Sequence, residues 1–256
     1  MKALLFLLLV GITANVHAMD DVAEDASSNF TNLVVGNEVL AFGGYASGTN
    51  WLALACNVKN CVLAPARLSV HAAASTDAAG HQQLIFTLDK PSHRKVIAWL
   101  QRNPQQASWL HSGAVVTYGS IVQGLKHPRT PGTFELSVTG TKGEIARFVP
   151  LLDRKLHEFV LQLRSGKQRQ LFDQQLWTCT GAGNTDYLLW AGDLDRDGQP
   201  DYLVSFADDA TSERPHGYGK IMLYLSSAAE QDELVGVAAE YQDDTMLRCP
   251  TTDDNQ

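Results

Sequence analysis

The segment GDLDRDGQPDYLV, from Gly192 to Val204, places four aspartates within nine residues. A loop that presents an oxygen at positions 1, 3, 5, 7 and 9 can wrap around one hard cation, and a glycine at position 6 allows the sharp turn that this requires. Gly198 stands at position 6. The spacing therefore predicts a metal site whose ligands are Asp193, Asp195, Asp197, the backbone carbonyl oxygen of Gln199, and Asp201.

The charge of this segment, which we call the aspartate loop (residues 193–201), is the reason to expect a cation. Two carboxylates about 5 Å apart at a protein surface repel each other by roughly 3 kcal/mol at an effective dielectric constant near 20. A divalent ion converts that repulsion into coordination. Ca²⁺ is the expected ion, because it accepts six to eight oxygens in flexible geometry whereas Mg²⁺ requires a tighter octahedron. The competing interpretation is a solvated turn, for which DRDG alone would be a typical sequence.

The loop and the hairpin around it resemble the FG-GAP and VCBS repeat families. The matching text is GDLDRDGQPDYLVSFADD followed by GYGKIMLYLSS, which together span Gly192 to Ser227. The resemblance implies a calcium loop within a β-hairpin of a propeller-like fold, with the same five ligands. Those families carry several copies because one blade cannot bury its own faces, and this chain has a single aspartate loop. We therefore transfer only the metal loop and its hairpin to this protein.

No catalytic residue is predicted. The histidines that follow residue 18 are scattered without the spacing of a metal site. GYASG, at residues 44–48, has its serine in the fourth position rather than the third of a nucleophile elbow, so Ser47 is interpreted as a turn residue. Paired carboxylates could hydrolyse glycosidic bonds. The glutamates considered for that role are Glu135, Glu144, Glu158, Glu213 and Glu240.

The connection ADDATSERPHGYG, residues 207–219, is long for a link between two strands, and ordered loops of this length are often functional. It follows the aspartate loop closely in sequence. It carries Arg214, His216 and Tyr218, which could form a recognition surface for a partner. The competing interpretation is a flexible excursion without a role. The five tryptophans are mainly expected in the core, because aromatic side chains bury large areas.

The first 18 residues have the pattern of a cleavable signal peptide: Lys2, a short apolar run, and a small-residue cleavage site at 16–18. No cysteine follows the cleavage site, so a lipid anchor is not expected, and no other run predicts a membrane span. The remaining 238 residues carry a net charge of −9, which argues against binding to nucleic acid. We expect a secreted or periplasmic protein.

Four cysteines remain after cleavage, and an even number in an exported chain suggests disulfides. Of the three possible pairings we favour Cys56–Cys61, which closes the CNVKNC turn, together with Cys179–Cys249. A four-cysteine zinc site is the alternative, although paired C-x₂-C spacing is missing.

The patterning predicts a mainly β fold, either a β-sandwich, a barrel or partial propeller-like sheets. Alternating apolar residues predict strands, and residues 155–172 predict a hairpin that turns at 165–167. Residues 89–103 are compatible with one short helix or with a loop followed by a strand. The expected organisation is a signal peptide at 1–18, a disordered acidic segment at 19–32, an N-terminal β region at 33–126 and a C-terminal β region at 133–250, as one domain or two.

These observations favour a calcium-binding module that interacts with another secreted or envelope protein, including as an inhibitor, or with a glycan. The alternative is a secreted hydrolase of glycan or cell-wall material, in which calcium has a structural role. Two carboxylates outside the aspartate loop in one pocket, at the separation that glycosidases use, would favour the hydrolase. A flat exposed patch around Arg214–Tyr218 would favour the binding module.

Overall fold

A computed structural model describes residues 30–35, 38–42, 45–72, 81–102, 110–118, 135–153, 158–176, 187–207 and 218–246. The expected signal peptide lies outside these ranges, as do the proline-rich stretch 127–132 and residues 208–217 of the long connection. The first strand begins at residue 30, three positions ahead of the expected start of the N-terminal β region, and residues 19–29 lie outside the description.

The described residues confirm a mainly β fold. The seven strands of the first half are β1 Phe30–Val34, β2 Glu38–Phe42, β3 Gly48–Cys56, β4 Cys61–Ala72, β5 His81–Leu88, β6 Lys95–Arg102 and β7 Gly113–Thr117. The eight strands of the second half are β8 Leu136–Thr139, β9 Ile145–Asp153, β10 Glu158–Ser165, β11 Gln168–Leu176, β12 Leu188–Asp193, β13 Asp201–Ala207, β14 Tyr218–Leu225 and β15 Gly236–Met246.

Most of these strands form hairpins with the next strand in the chain, as short turns dictate. The hairpin expected at residues 155–172 is confirmed: β10 and β11 pair antiparallel around a turn at 166–167. β3 and β4 pair across the CNVKNC turn, and the Cys56–Cys61 disulfide is present. The expected partners Cys179 and Cys249 lie outside the described residues.

The strands follow one pairing path, β1-β6-β3-β4-β7-β12-β13-β11-β10-β9-β8, with β14 and β15 added to β13, and β5 and β2 added to β4. All of these pairs are antiparallel. β7 joins the two halves, because it pairs with β4 on one side and with β12 on the other. β1 lies against β15, which brings the sheet close to closing as a barrel.

The short helix that residues 89–103 allowed is not formed. Lys95–Arg102 is strand β6, which lies between β1 and β3 and pairs with both. Ala98, Trp99 and Leu100 are consecutive and all buried, a pattern that a strand covered on both faces produces. Among the described residues the one helical element is a 3₁₀ turn at Ser226–Ala228, and no helix there has the length and apolar character needed to cross a membrane.

Two hydrophobic clusters fill the interior of the described part. The first is built on Trp51, Phe86, Trp99 and Trp190, in which the Phe86 and Trp99 rings stack 4.7 Å apart. The second contains Phe148, Phe172, Tyr202, Phe206 and Tyr224. The expectation that tryptophans serve the core is confirmed for the three in the first cluster. The other two, Trp109 and Trp177, lie outside the described residues.

Candidate metal centre

The aspartate loop connects two buried neighbouring strands. β12 ends at Asp193 and β13 begins at Asp201, and the last pair of their ladder joins Gly192 to Asp201. Asp193 also pairs with Val116 of β7, on the other edge of β12. Both ends of the loop are therefore fixed by the sheet, so the seven residues between them form one tight turn.

Glycine is required at two positions around this turn. Gly198 has φ of +83°, a left-handed conformation that side chains disfavour, as the calcium-loop pattern anticipated. Gly192 has a different constraint. A Cβ atom there would collide with the Trp190 ring and with the carbonyl oxygen of Val116, so only glycine allows β12 and β7 to approach this closely.

The turn brings three of the four aspartates together. One carboxylate oxygen from each of Asp193, Asp195 and Asp197 lies within 4.8 Å of the other two. Asp193 is buried, with 7% of its surface exposed, whereas Asp195 is half-buried and Asp197 is exposed. Among the described residues, these three are the one group of His, Cys, Asp or Glu side chains close enough to share an ion.

Backbone N–H groups hold each of these carboxylates in place. Gly198 donates to Asp193 Oδ2 at 3.1 Å, Asp197 donates to Asp195 Oδ1 at 3.2 Å, and Gln199 donates to Asp197 Oδ1 at 2.7 Å. Such Asx-type bonds fix the direction of each side chain without neutralising its charge. The carbonyl oxygen of Gln199 was expected as a further ligand, and that role stays a prediction.

Two carboxylate oxygens in this group lack a hydrogen-bond donor. Asp193 Oδ1 and Asp195 Oδ2 are buried and have no hydrogen-bond partner of good geometry among the described residues, while the Ser227 side chain lies close enough to the Asp195 carboxyl to lower its pKa. Burying a charged oxygen without a partner is costly, and a cation is one of the few partners that three converging carboxylates can share. The donor set, which consists of hard oxygens only, fits Ca²⁺ or Mg²⁺.

The fourth aspartate has a different set of contacts. Asp201 is fully buried, and its Oδ2 accepts the N–H of Leu194 at 2.6 Å while Oδ1 accepts the N–H of Ser226 at 2.9 Å. These bonds join the start of the aspartate loop to the end of β14. Asp201 was expected as a metal ligand; in this structure its described contacts are those of a brace between two chain segments, and it lies outside the group of three.

Burial is the main cause of the raised pKa of two aspartates in the loop, Asp195 and Asp201. It raises the pKa of the Asp195 carboxyl; hydrogen bonds from the Ser227 side chain and the Asp197 N–H oppose this shift, and the nearby charges of Asp197 and Asp193 add to it. It raises the pKa of the Asp201 carboxyl well above its ordinary value, with the charge of Asp195 adding to the effect. Burial and the charge of Asp193 also raise the pKa of Tyr118 to about 12. A bound cation would oppose the upward shifts of the carboxyl groups.

Two further side chains brace the loop, and neither was anticipated from the sequence. The hydroxyl of Ser226 donates to Asp197 Oδ2 at 2.7 Å. The guanidinium of Arg196 donates to the carbonyl oxygen of His111 at 3.0 Å, which ties the loop to the residues before β7. No local pattern signals such bonds, because each joins residues at least 29 positions apart in the chain.

A cavity of about 300 Å³ lies beside the loop. Asp197, Gln199 and Pro200 form one side of it. Ser226, the first residue after β14, also lines the cavity. The opposite walls come from the β8–β9 and β10–β11 hairpins and from residues 229–235. Two glutamates, Glu144 and Glu233, also line it, and of these only Glu144 was among the sequence candidates.

The remaining sequence candidates are placed elsewhere. Ser47 accepts the N–H of Val70 at 3.0 Å through its Oγ atom, in keeping with its interpretation as a turn residue. Glu240 pairs with Lys220 at 2.8 Å on the β14–β15 ladder. Arg214 and His216 lie outside the described residues, as does the side chain of Tyr218, so the recognition surface expected there stays a prediction.

Comparison with protein-family models, with curated proteins and with solved structures gives no match to this chain.

Proposed function

We propose that this protein is an exported, calcium-binding β protein that acts as a binding module, with the ion at Asp193, Asp195 and Asp197. The observation that carries the proposal is the pair of buried carboxylate oxygens on Asp193 and Asp195 that have no hydrogen-bond partner of good geometry among the described residues, next to a third carboxylate. The D-x-D-x-D-G-x-x-D spacing and its resemblance to FG-GAP and VCBS loops support the same conclusion.

Calcium suits this loop better than magnesium for a structural reason. The three carboxylates range from buried to exposed, so water can complete the shell on the exposed side. Ca²⁺ tolerates such an irregular shell of six to eight oxygens, whereas Mg²⁺ favours near-ideal octahedral geometry. The ion would act as a brace: it would neutralise the loop and fix the wall of the adjoining cavity.

Export is supported by the disulfide as well as by the signal-like start of the sequence. The Cys56–Cys61 bond persists in oxidising compartments and is rare in the cytosol. We expect such an exported protein to bind a secreted or envelope protein, or a glycan.

Isothermal titration of the chelator-treated mature protein with Ca²⁺ and with Mg²⁺ tests the metal assignment directly. We expect one Ca²⁺ per chain, with tighter binding than for Mg²⁺ and a rise in melting temperature on Ca²⁺ addition. A protein whose heat signal and melting temperature ignore both ions would refute the assignment.

Hydrolysis of a glycan is the second candidate function, and one observation favours it: Glu144 and Glu233 contribute two carboxylates outside the aspartate loop to one cavity. The test is release of reducing sugar from cell-wall and polysaccharide substrates by the calcium-loaded protein. Turnover that the Glu144→Gln variant loses would establish hydrolysis. The absence of turnover in the unaltered protein would remove this candidate.

A further inference from the structure

The cavity beside the aspartate loop has walls of two chemical kinds. One part is apolar and consists of side chains from four separate segments: Val138, Ala146, Leu163, Leu234 and Val235. A ligand that enters would thus bury hydrocarbon against hydrocarbon, which favours binding roughly in proportion to the apolar area removed from water.

The polar part of the lining carries negative charge only. Its ionisable members are Glu144, Asp197 and Glu233, together with Tyr202, and no lysine, arginine or histidine is among the described residues that line it. Glu144 Oε1 is buried and accepts no hydrogen bond from a described residue, while its Oε2 accepts the N–H of Lys142 at 2.9 Å. The Glu144 carboxylate is therefore held in place by a backbone N–H at one oxygen, and its other oxygen has no donor among the described residues.

The segment that forms the wall opposite the loop is held in place by hydrogen bonds. The side chain of Gln170 accepts the N–H groups of Leu234 and Val235 at 2.9 and 3.0 Å and donates to the carbonyl oxygen of Val235 at 2.7 Å. Three hydrogen bonds from one amide hold this segment against β11. A pre-formed wall lowers the ordering cost of binding, as ligand sites usually require.

We propose that this cavity binds an alkylammonium group, and that its natural occupant is a lysine side chain presented by a partner protein. A lysine side chain combines a four-carbon stem with a cationic head that has three donors and no acceptor. That combination matches apolar walls with carboxylates in a lining that itself contains no cationic side chain among the described residues; the ammonium of Lys142 lies nearby, beside Gly198. A cavity of about 300 Å³ has room for one lysine side chain.

This assignment names the partner chemistry for the binding role proposed above and rests on it. Calcium in the loop would leave Glu144 and Glu233 uncompensated, because neither belongs to the group of three aspartates. The loop and the cavity also share Ser226, whose hydroxyl donates to Asp197. The bound ion would thus fix one wall of the site without cancelling its charge.

The test is titration of the calcium-loaded, full-length mature protein with Nα-acetyl-lysine methylamide, followed by two-dimensional NMR. We expect shifts in the residues of the cavity and a dissociation constant on the order of a millimolar. The matched probe Nα-acetyl-norleucine methylamide keeps the stem and lacks the ammonium group, and should bind at least severalfold more weakly. Among straight-chain amines, affinity should rise about fourfold for each added methylene until the stem fills the cavity.

Two variants locate the site. Glu144→Gln and Glu233→Gln each keep the size of the side chain and one acceptor oxygen, remove the charge and replace the other oxygen by a donor. Each should weaken binding of the lysine probe about twofold to fivefold. Glu230→Gln is the control, because Glu230 lies on the same connection but does not line the cavity. A melting curve for each variant confirms that it is folded before its affinity is compared.

The outcomes separate this proposal from the calcium assignment. Probe binding that depends on the ammonium group and on both glutamates supports it. Equal binding of the lysine and norleucine probes, or shifts confined to residues outside the cavity, overturns it even if Ca²⁺ stabilises the protein. Preferential binding of a cell-wall disaccharide at the same residues also overturns it, in favour of a glycan. Loss of the calcium response with probe binding intact would instead refute the metal assignment alone.

Discussion

Replacement of Asp195 by asparagine should change the stability of the protein in opposite directions in the absence and in the presence of calcium. Asparagine keeps the oxygen that accepts the N–H of Asp197 and replaces the second, unpaired oxygen by an amide that can donate. Without an ion, the substitution removes one of three like charges. With calcium, it removes a charged ligand.

The structure sets the size of both effects. Carboxylate oxygens that lie within 4.8 Å of one another repel by roughly 3 kcal/mol or more at an effective dielectric constant of 20, and solvent around the half-exposed Asp195 reduces this to about 1–2 kcal/mol. In chelator, Asp195→Asn should therefore melt about 2–8 °C higher than the unaltered protein, at about 2–4 °C per kcal/mol for a chain of this length. A calcium concentration 1,000-fold above the dissociation constant should stabilise the unaltered protein by about 4 kcal/mol, or about 8–16 °C, and the variant by much less.

The assay is differential scanning calorimetry of both proteins in chelator and in excess Ca²⁺. Asp232→Asn is the matched control, since Asp232 is an exposed carboxylate far from the ligand group in sequence, and its left-handed backbone suits asparagine equally well. It should leave the calcium response unchanged. A variant at Asp195 that melts lower in chelator and keeps the full calcium shift would refute the reasoning, because neither repulsion nor coordination would then involve this carboxylate.

Three other predictions concern the site and its support. Gly192→Ala should lower the melting temperature by several degrees, because its Cβ would collide with the Trp190 ring and the Val116 carbonyl oxygen, and overpacking of this kind costs about 1–3 kcal/mol of stability. Gly48→Ala is the control, since Gly48 has open space around it. Equal losses of melting temperature in calorimetry would contradict the packing argument. The calcium-induced rise in melting temperature should increase as the pH rises above the ordinary pKa of an aspartate, because the pKa of Asp195 is raised. The raised pKa of Asp195 means that the ion-free protein loses stability as pH rises through that value, whereas calcium requires the ionised carboxylate, so a shift independent of pH would contradict this account. Replacing Cys56 and Cys61 together by alanine should lower the free energy of unfolding by about 2 kcal/mol, the loop-closure value for so short a loop. A loss above about 5 kcal/mol in chemical denaturation would show that packing of the two side chains, and not loop closure, accounts for most of the effect.

The parts of the fold that depend on neighbouring residues could be predicted from the sequence. The mainly β class, the β10–β11 hairpin and the disulfide-closed β3–β4 turn follow from alternation and turn chemistry within a few residues. The segment that became β6 could not be assigned, because its apolar spacing suits a helix face as well as a strand. Its pairing with β1, about 70 positions earlier in the chain, makes it a strand, and no pattern within the segment itself indicates that pairing.

The candidate site shows the same division. The gathering of Asp193, Asp195 and Asp197 follows from their spacing around one tight turn. The bracing of Asp201 by Leu194 and Ser226 does not, since a carboxylate at that position serves equally well as a ligand or as an acceptor for backbone N–H groups. The adjoining cavity could not be predicted either, because its walls come from segments far apart in the chain.

The buried Leu194 limits how far the aspartate loop can be separated from its protein. Leu194 is the second residue of the loop and is 1% exposed. Its side chain belongs to the same hydrophobic core cluster as Leu33 of β1 and Tyr241 of β15. A synthetic peptide covering residues 192–227, or a graft of that hairpin into another scaffold, would therefore expose an anchor that the intact chain hides. Part of the free energy of ion binding would then be used to fold the fragment, so the fragment would bind the ion more weakly than the whole protein does.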